Sequence, residues 1–129
     1  MAIAQPDAQF TLVEPMERRS NWMQSVVDDL GIGNVRILRA RAEEVTETDF
    51  DFATARAVAA LDKLLRLLTP LIRFSKHKTI IALKGSKAPE EIAAAGKKLD
   101  LLGYTRPEVL TLGLEKAPET ATVVRTTLK

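Results

Sequence analysis

Apolar and polar positions change their spacing repeatedly along this chain, and each change marks an element. Gln9-Phe10-Thr11-Leu12-Val13 is an apolar, β-branched run. It reads as a strand ended by Pro15, which has no N–H to give to a ladder. Met16, Trp22, Met23, Val26, Val27 and Leu30 then recur around Arg19 at three- and four-residue steps. That is one helical stripe, with Gly31 where a C-terminal cap belongs. The stripe assigns Trp22 and the Met16/Met23 pair to a core. Gly33-Asn34 turns the chain, and Val35-Arg36-Ile37-Leu38 alternates as a second strand.

Residues 50–58 read as a third strand leading into a loop. Leu61, Leu64, Leu65 and Leu68 form the next helical stripe, slowed by Pro70. Thr79 to Leu83 is almost wholly apolar, the pattern of a strand covered on both faces. Pro89, with Glu90 and Glu91 beside it, opens a third helix that runs to about Leu102 and closes at Gly103. Two strand-like runs follow, 109–114 and 120–128, joined around Pro118 with no helix between them. Strands alternating with helices imply an α/β layer fold with a mostly parallel sheet. The closing pair implies an antiparallel C-terminal hairpin. At 129 residues the chain is one domain, 1–129.

Composition narrows the chemistry more than the fold. With 46% apolar residues the chain can close a core, and with no cysteine it has no disulfide, thiolate zinc site or cysteine nucleophile. The longest aliphatic runs fall far short of the ~20 residues of a membrane span. No basic head followed by an apolar stretch opens the sequence, so a cytoplasmic location is expected. No metal-ligand spacing, Ser–His–Asp arrangement, Walker sequence or GxGxxG occurs. His77, between Lys76 and Lys78, reads as a surface residue. The net charge of +2 hides an asymmetry: residues 52–87 hold eight Lys and Arg against Asp62 alone, a local +7. Phosphate backbones select such a footprint, and a solvated basic face accounts for it equally well.

Ligands of open α/β sheets bind beyond the carboxyl ends of the strands, so those ends carry the candidate residues. Glu14 closes the first strand, where a carboxylate can accept from both hydroxyls of a ribose or serve the dipole of the following helix. Beyond the second strand comes Arg41-Ala42-Glu43-Glu44, where small Ala42 beside Glu43 lets a flat base approach the backbone; a plain loop with solvated acids is the other reading. Arg56 stands at the third strand end and Lys84-Gly85 at the fourth. Two cations there suit an anionic substrate, although Arg56 could also bridge to Asp51 and Lys84 could simply be exposed. The four strand tips are expected to converge on one mouth.

The blocks Leu12-Val13-Glu14-Pro15-Met16-Glu17-Arg18-Arg19, Arg41-Ala42-Glu43-Glu44, Ala55-Arg56-Ala57-Val58 and Ala82-Leu83-Lys84-Gly85, in this order, resemble the bacterial RsmG (GidB) family. The likeness runs from about Ala2 to the C-terminus. It implies a partial Rossmann-like class I methyltransferase sheet and S-adenosyl-L-methionine-dependent methylation of N7 of a guanine in 16S rRNA. Under the resemblance Glu14 binds the ribose, Ala42 and Glu43 the adenine, and Arg56 belongs to the cofactor or catalytic pocket. Lys84 is a catalytic candidate in contact with the RNA. The implied partner is 16S rRNA or the small ribosomal subunit, with no membrane.

The family's first strand and glycine-rich loop have no counterpart here. The glycine-rich turn before the fourth strand is replaced by Ser75-Lys76-His77-Lys78. The sequence therefore reads as a C-terminal portion, inactive by itself, whose sheet lacks its central strand. Two unpaired edges follow, and with them re-pairing of those strands or a homodimer through them. A non-catalytic RNA-binding or ribosome-assembly module is the alternative. A nicotinamide-dependent Rossmann protein shares Glu14 but leaves the other blocks unexplained.

Overall fold

The computed structural model describes residues 1–56, 59–113 and 119–129. They form two compact units, Met1–Val45 and Thr46–Lys129. In the first unit β1 (Phe10–Val13) pairs in parallel with β2 (Val35–Leu38), with Val13 opposite Leu38. Between them runs α1 (Glu17–Asp29). Gly31 ends that helix at φ +60°. The Gly31 N–H donates to Asp28 O at 3.2 Å and the Ile32 N–H to Val27 O at 3.0 Å, the paired bonds of a left-handed glycine cap. Asn34 pins the preceding chain by donating its side-chain amide to the carbonyls of Ala2, Gln5 and Ala8.

The helical stripe is as expected, but its burial is not. Trp22 is 67% exposed and Met16 52%. A two-stranded sheet is narrower than the stripe, and an apolar cavity of about 300 Å³, lined by Phe10, Trp22, Met23 and Val27 among others, remains open.

The second unit holds β3 (Phe52–Arg56), α2 (Leu61–Ile72), β4 (Thr79–Lys84), α3 (Ala88–Leu101), β5 (Glu108–Leu112) and β6 (Ala121–Thr127). Its sheet order is β3-β4-β6-β5. β3 and β4 are parallel, whereas β6 is antiparallel to both β4 and β5. The closing strands thus pair as expected, but β6 is inserted beside β4 and leaves β5 at the edge. Val58, Leu114 and Pro118 of the expected elements lie outside the described residues.

α2 lays Leu61, Leu64, Leu65, Leu68, Leu71 and Ile72 into the core. It also continues through Pro70. That proline is on the exposed face, where the Arg66 carbonyl it leaves without an N–H can bond to water. β4 runs with Ile80 and Ala82 fully buried, in keeping with its unbroken apolar run. Tyr104, also fully buried, closes the core from the start of the last segment. Its hydroxyl shares a 2.7 Å hydrogen bond with Thr69 Oγ1 of α2. Burial pushes the Tyr104 hydroxyl above its usual pKa range, and the Thr69 bond offsets this in part.

β1 has one hydrogen-bonded neighbour, β2, and β3 has one, β4. Each therefore keeps a lateral edge with no partner strand among the described residues.

Candidate functional site

Parallel pairing brings the ends of β1 and β2 side by side, and the Glu14 N–H donates to Leu38 O at 3.1 Å. Glu14 is half-buried. Its Oε1 accepts the backbone N–H of Met16 at 3.0 Å, the residue capping α1. The carboxylate thus serves the helix start with one oxygen, and Oε2 carries no bond among the described residues. Beyond β2, Ala42–Glu44 form a short 3-10 turn. Glu44 Oε2 accepts the Arg41 N–H at 2.9 Å and fixes that turn. Ala42 is half-buried and Glu43 exposed. Glu14, Ala42 and Glu43 therefore belong to the same end of one two-stranded sheet.

In the second unit Arg56 pairs in register with Leu83, the residue before Lys84. Arg56 and Lys84 line an open cavity of about 540 Å³ together with Gly85, Ser86, Thr120 and Thr122. Arg56 is exposed and makes no ion pair among the described residues, with Asp51 or any other acid. Lys84 is not the free surface cation its sequence allows. Its side chain is 3% exposed and its ammonium is paired with Glu91 of α3. It also donates to Ala59 O at 2.9 Å. Gly85 has no positive φ and nothing would meet a Cβ there within 4 Å, so neither backbone strain nor a close approach requires a glycine at this rim.

Three lining residues were not legible from the sequence. Ser86 has the weak signal of following Gly85. Thr120 and Thr122 reach the cavity because β6 runs antiparallel, with Thr122 opposite Lys84. Glu91 reads along the chain as an acid favoured by the dipole of α3, and only the fold turns it onto Lys84. His77 lies at the surface as expected, its ring stacked on Phe52 with centroids 5.6 Å apart. Among the described residues no His, Cys, Asp and Glu are grouped to hold a metal ion. No helix there is long and apolar enough to cross a membrane.

Strands β1 to β4 with their helices, then the inserted antiparallel β6, define the α/β fold of class I S-adenosylmethionine-dependent methyltransferases. A methyltransferase of Pyrococcus furiosus superposes with a TM-score of 0.73 at 12% identity, covering 97% of this chain and 66% of its own. A precorrin-6y C5,15-methyltransferase of Geobacter metallireducens gives 0.65 at 17% identity, covering 96% and 69%. The family described as rRNA small subunit methyltransferase G (GidB) matches residues 1–118, and the chain belongs to that family. Relatives named ribosomal RNA small subunit methyltransferase G include one from Paenarthrobacter aurescens, 48% identical over 126 residues. Another, from Clavibacter michiganensis, is 44% identical over 126 residues. Both alignments cover 97% of this chain but only 57% and 59% of the relatives. The chain spans a little over half the length of the curated relatives it matches.

Proposed function

We propose that this chain contributes the nucleoside-recognising and RNA-facing portion of an enzyme that methylates N7 of a guanine in 16S rRNA, with S-adenosyl-L-methionine as donor. One observation carries the reading: the family blocks fall at successive strand ends, and two of them, at Arg56 and Lys84-Gly85, line the same cavity. A second reading, a non-catalytic RNA-binding or assembly module, draws on the +7 segment.

The residues present fit the donor. Glu14 keeps a carboxylate oxygen for ribose hydroxyls. Small Ala42 and exposed Glu43 suit the flat adenine and its exocyclic amine. When bound, the donor supplies an electrophilic methyl on a sulfonium. Guanine N7 offers its lone pair without losing a proton, so the protein needs no general base. Its work is positioning the base in line with the methyl group and holding it unstacked. Arg56 is the cation available to the base or its phosphates. The committed ammonium of Lys84 makes it a positioning residue: it ties the chain after β3 to the start of α3, at the cavity that Arg56 also lines.

The partners in this reading are 16S rRNA or the small ribosomal subunit, in the cytoplasm, together with a homodimer formed through the open edges of β1 and β3. This stretch alone, which covers 57% of the P. aurescens relative, binds the cofactor more weakly than that full-length protein. The test is methyl transfer from labelled S-adenosylmethionine to small-subunit RNA, comparing this chain with the full-length P. aurescens protein, alongside calorimetry of cofactor binding. Transfer by the full-length protein that Arg→Ala at the position of Arg56 abolishes supports the reading. Transfer unaffected by that change, or directed to another atom than N7, refutes it.

A further inference from the structure

Eight cations and one acid between residues 52 and 87 give the chain its positive segment, and the fold sorts them. Lys84 is paired with Glu91, and Asp62, the segment's only acid, is bound by Lys98 of α3 at 2.9 Å. What remains on α2 is ordered. Its exposed residues are Lys63, Arg66, Pro70 and, at the C-cap, Arg73. Steps of three, four and three residues keep these on one face, opposite the buried leucines. With a rise of 1.5 Å per residue, Lys63 and Arg73 lie about 15 Å apart along the axis. None of the three cations is in an ion pair among the described residues. Like charges three residues apart on a helix repel, so stability does not account for the row.

At the far end of the row Phe74 is 74% exposed, and Phe52, 55% exposed, stacks on His77 with 14° between the rings. The loop carrying these aromatics is fixed. Ser75 is buried, and its Oγ accepts the N–H groups of His77 and Lys78 at 3.0 Å. The Phe74 N–H donates to Thr48 O at 3.1 Å. Exposed rings on a held backbone, next to unpaired cations, are the arrangement on which bases stack while phosphates follow the charges. Asp49 and Asp51, on the segment hydrogen-bonded to this end of α2, bound the surface on one side.

We propose that the outer face of α2 and the loop after it form a track for single-stranded RNA, with Lys63, Arg66 and Arg73 on the phosphates and Phe74 stacking on a base. The proposal rests on the RNA partner proposed above and adds its path. α2 begins two residues after Ala59, the residue held by Lys84 at the cavity, and packs back along the parallel strands. The track therefore starts at the end of α2 that Lys84 tethers and leads away from it.

The test is fluorescence anisotropy of a labelled oligouridylate with this chain across a series of salt concentrations. Lys63→Glu, Arg66→Glu and Arg73→Glu combined should flatten the slope of log affinity against log salt by about 2, at roughly 0.7 per phosphate contact. Phe74→Ala should weaken binding about tenfold and leave the slope unchanged. Lys97→Glu, an exposed cation on α3, should change little. A triple Gln variant with an unchanged circular dichroism spectrum guards against misfolding and should flatten the slope equally.

An unaltered slope in both triple variants, or a Lys97→Glu loss equal to that of Arg66→Glu, overturns the track. So does binding to anionic phospholipid vesicles with none to RNA. If the triple variants bind normally while Arg56→Glu does not, the track falls and the proposed function stands.

Discussion

Between Met1 and Val45 only Ser20 is buried, whereas between Thr46 and Lys129 the buried set includes Leu61, Leu65, Ile72, Ile80, Tyr104 and Val124. The two units use the same devices: parallel strands, an amphipathic helix, a left-handed glycine cap. They differ in how many strands stand under the helices. Two strands cannot cover the stripe of α1, while four strands and two helices enclose a core. Closure here depends on strand count more than on the quality of any one pattern, because a helix face is buried only where a facing layer is wide enough. The nucleoside candidates Glu14, Ala42 and Glu43 are thus on the open unit, and the cations Arg56 and Lys84 on the closed one.

The largest test of this contrast is truncation of core side chains. Leu65→Ala removes a side chain with no exposure and should lower unfolding stability by about 3 kcal/mol. Val27→Ala in α1 should cost well under 1 kcal/mol. Chemical denaturation of both variants checks this, and similar losses would mean that the first unit is closed in solution.

Lys84→Met comes next. Glu91 would lose its cation while keeping 34% side-chain exposure, so the cost should fall below the roughly 3–5 kcal/mol of breaking a fully buried pair. In the same denaturation assay Glu91→Gln should cost less, because Lys84 keeps the Ala59 carbonyl. Equal losses would show that the pair, not the tether to Ala59, sets the stability.

Of the two glycine caps, Gly103 at φ +80° and Gly31 at φ +60°, Ala should cost about 1 kcal/mol at either by local strain. Only Gly103→Ala should lower the global transition. Gly31→Ala should instead speed amide exchange within α1, the pattern of a region that opens separately.

Tyr104 gives a smaller effect with a definite sign. Its neutral form is favoured by burial, so its proton is held to higher pH in the folded than in the unfolded chain. Its contribution is complete below about pH 10 and is lost as pH rises from there through the folded-state value. Tyr104→Phe should remove that alkaline decline while costing about 1 kcal/mol for the Thr69 bond at neutral pH, read from thermal melts over a pH series. The slightest signal is optical. Trp22, the one tryptophan, is 67% exposed and should emit as a water-exposed indole open to acrylamide. Shielding that grows with protein concentration would report the proposed homodimer.

Periodicity alone located β1, α1, β2, β4 and α3 nearly to the residue, since each is bounded by Pro or Gly and buries a face with the spacing of its own element. The strand–helix alternation also placed Glu14, Ala42, Glu43, Arg56 and Lys84 at or just beyond strand ends, because a strand end is a local feature. Lys84 was legible as a cation near the cavity but not as a buried one. Its partner Glu91 comes from α3 and the carbonyl it binds from beyond β3, and no linear spacing encodes that meeting. The same holds for Thr120 and Thr122, which reach the cavity only because β6 enters between β4 and β5 and runs backward. Pro70 reads as a brake on α2 until its exposure shows that water can serve the carbonyl it leaves behind. The sequence by itself determined the elements, their order and the residues at their ends, for these follow from local sterics and periodicity. Tertiary structure alone decided which charges are neutralised and which remain free on α2, because pairing depends on side chains that meet only when the layers close.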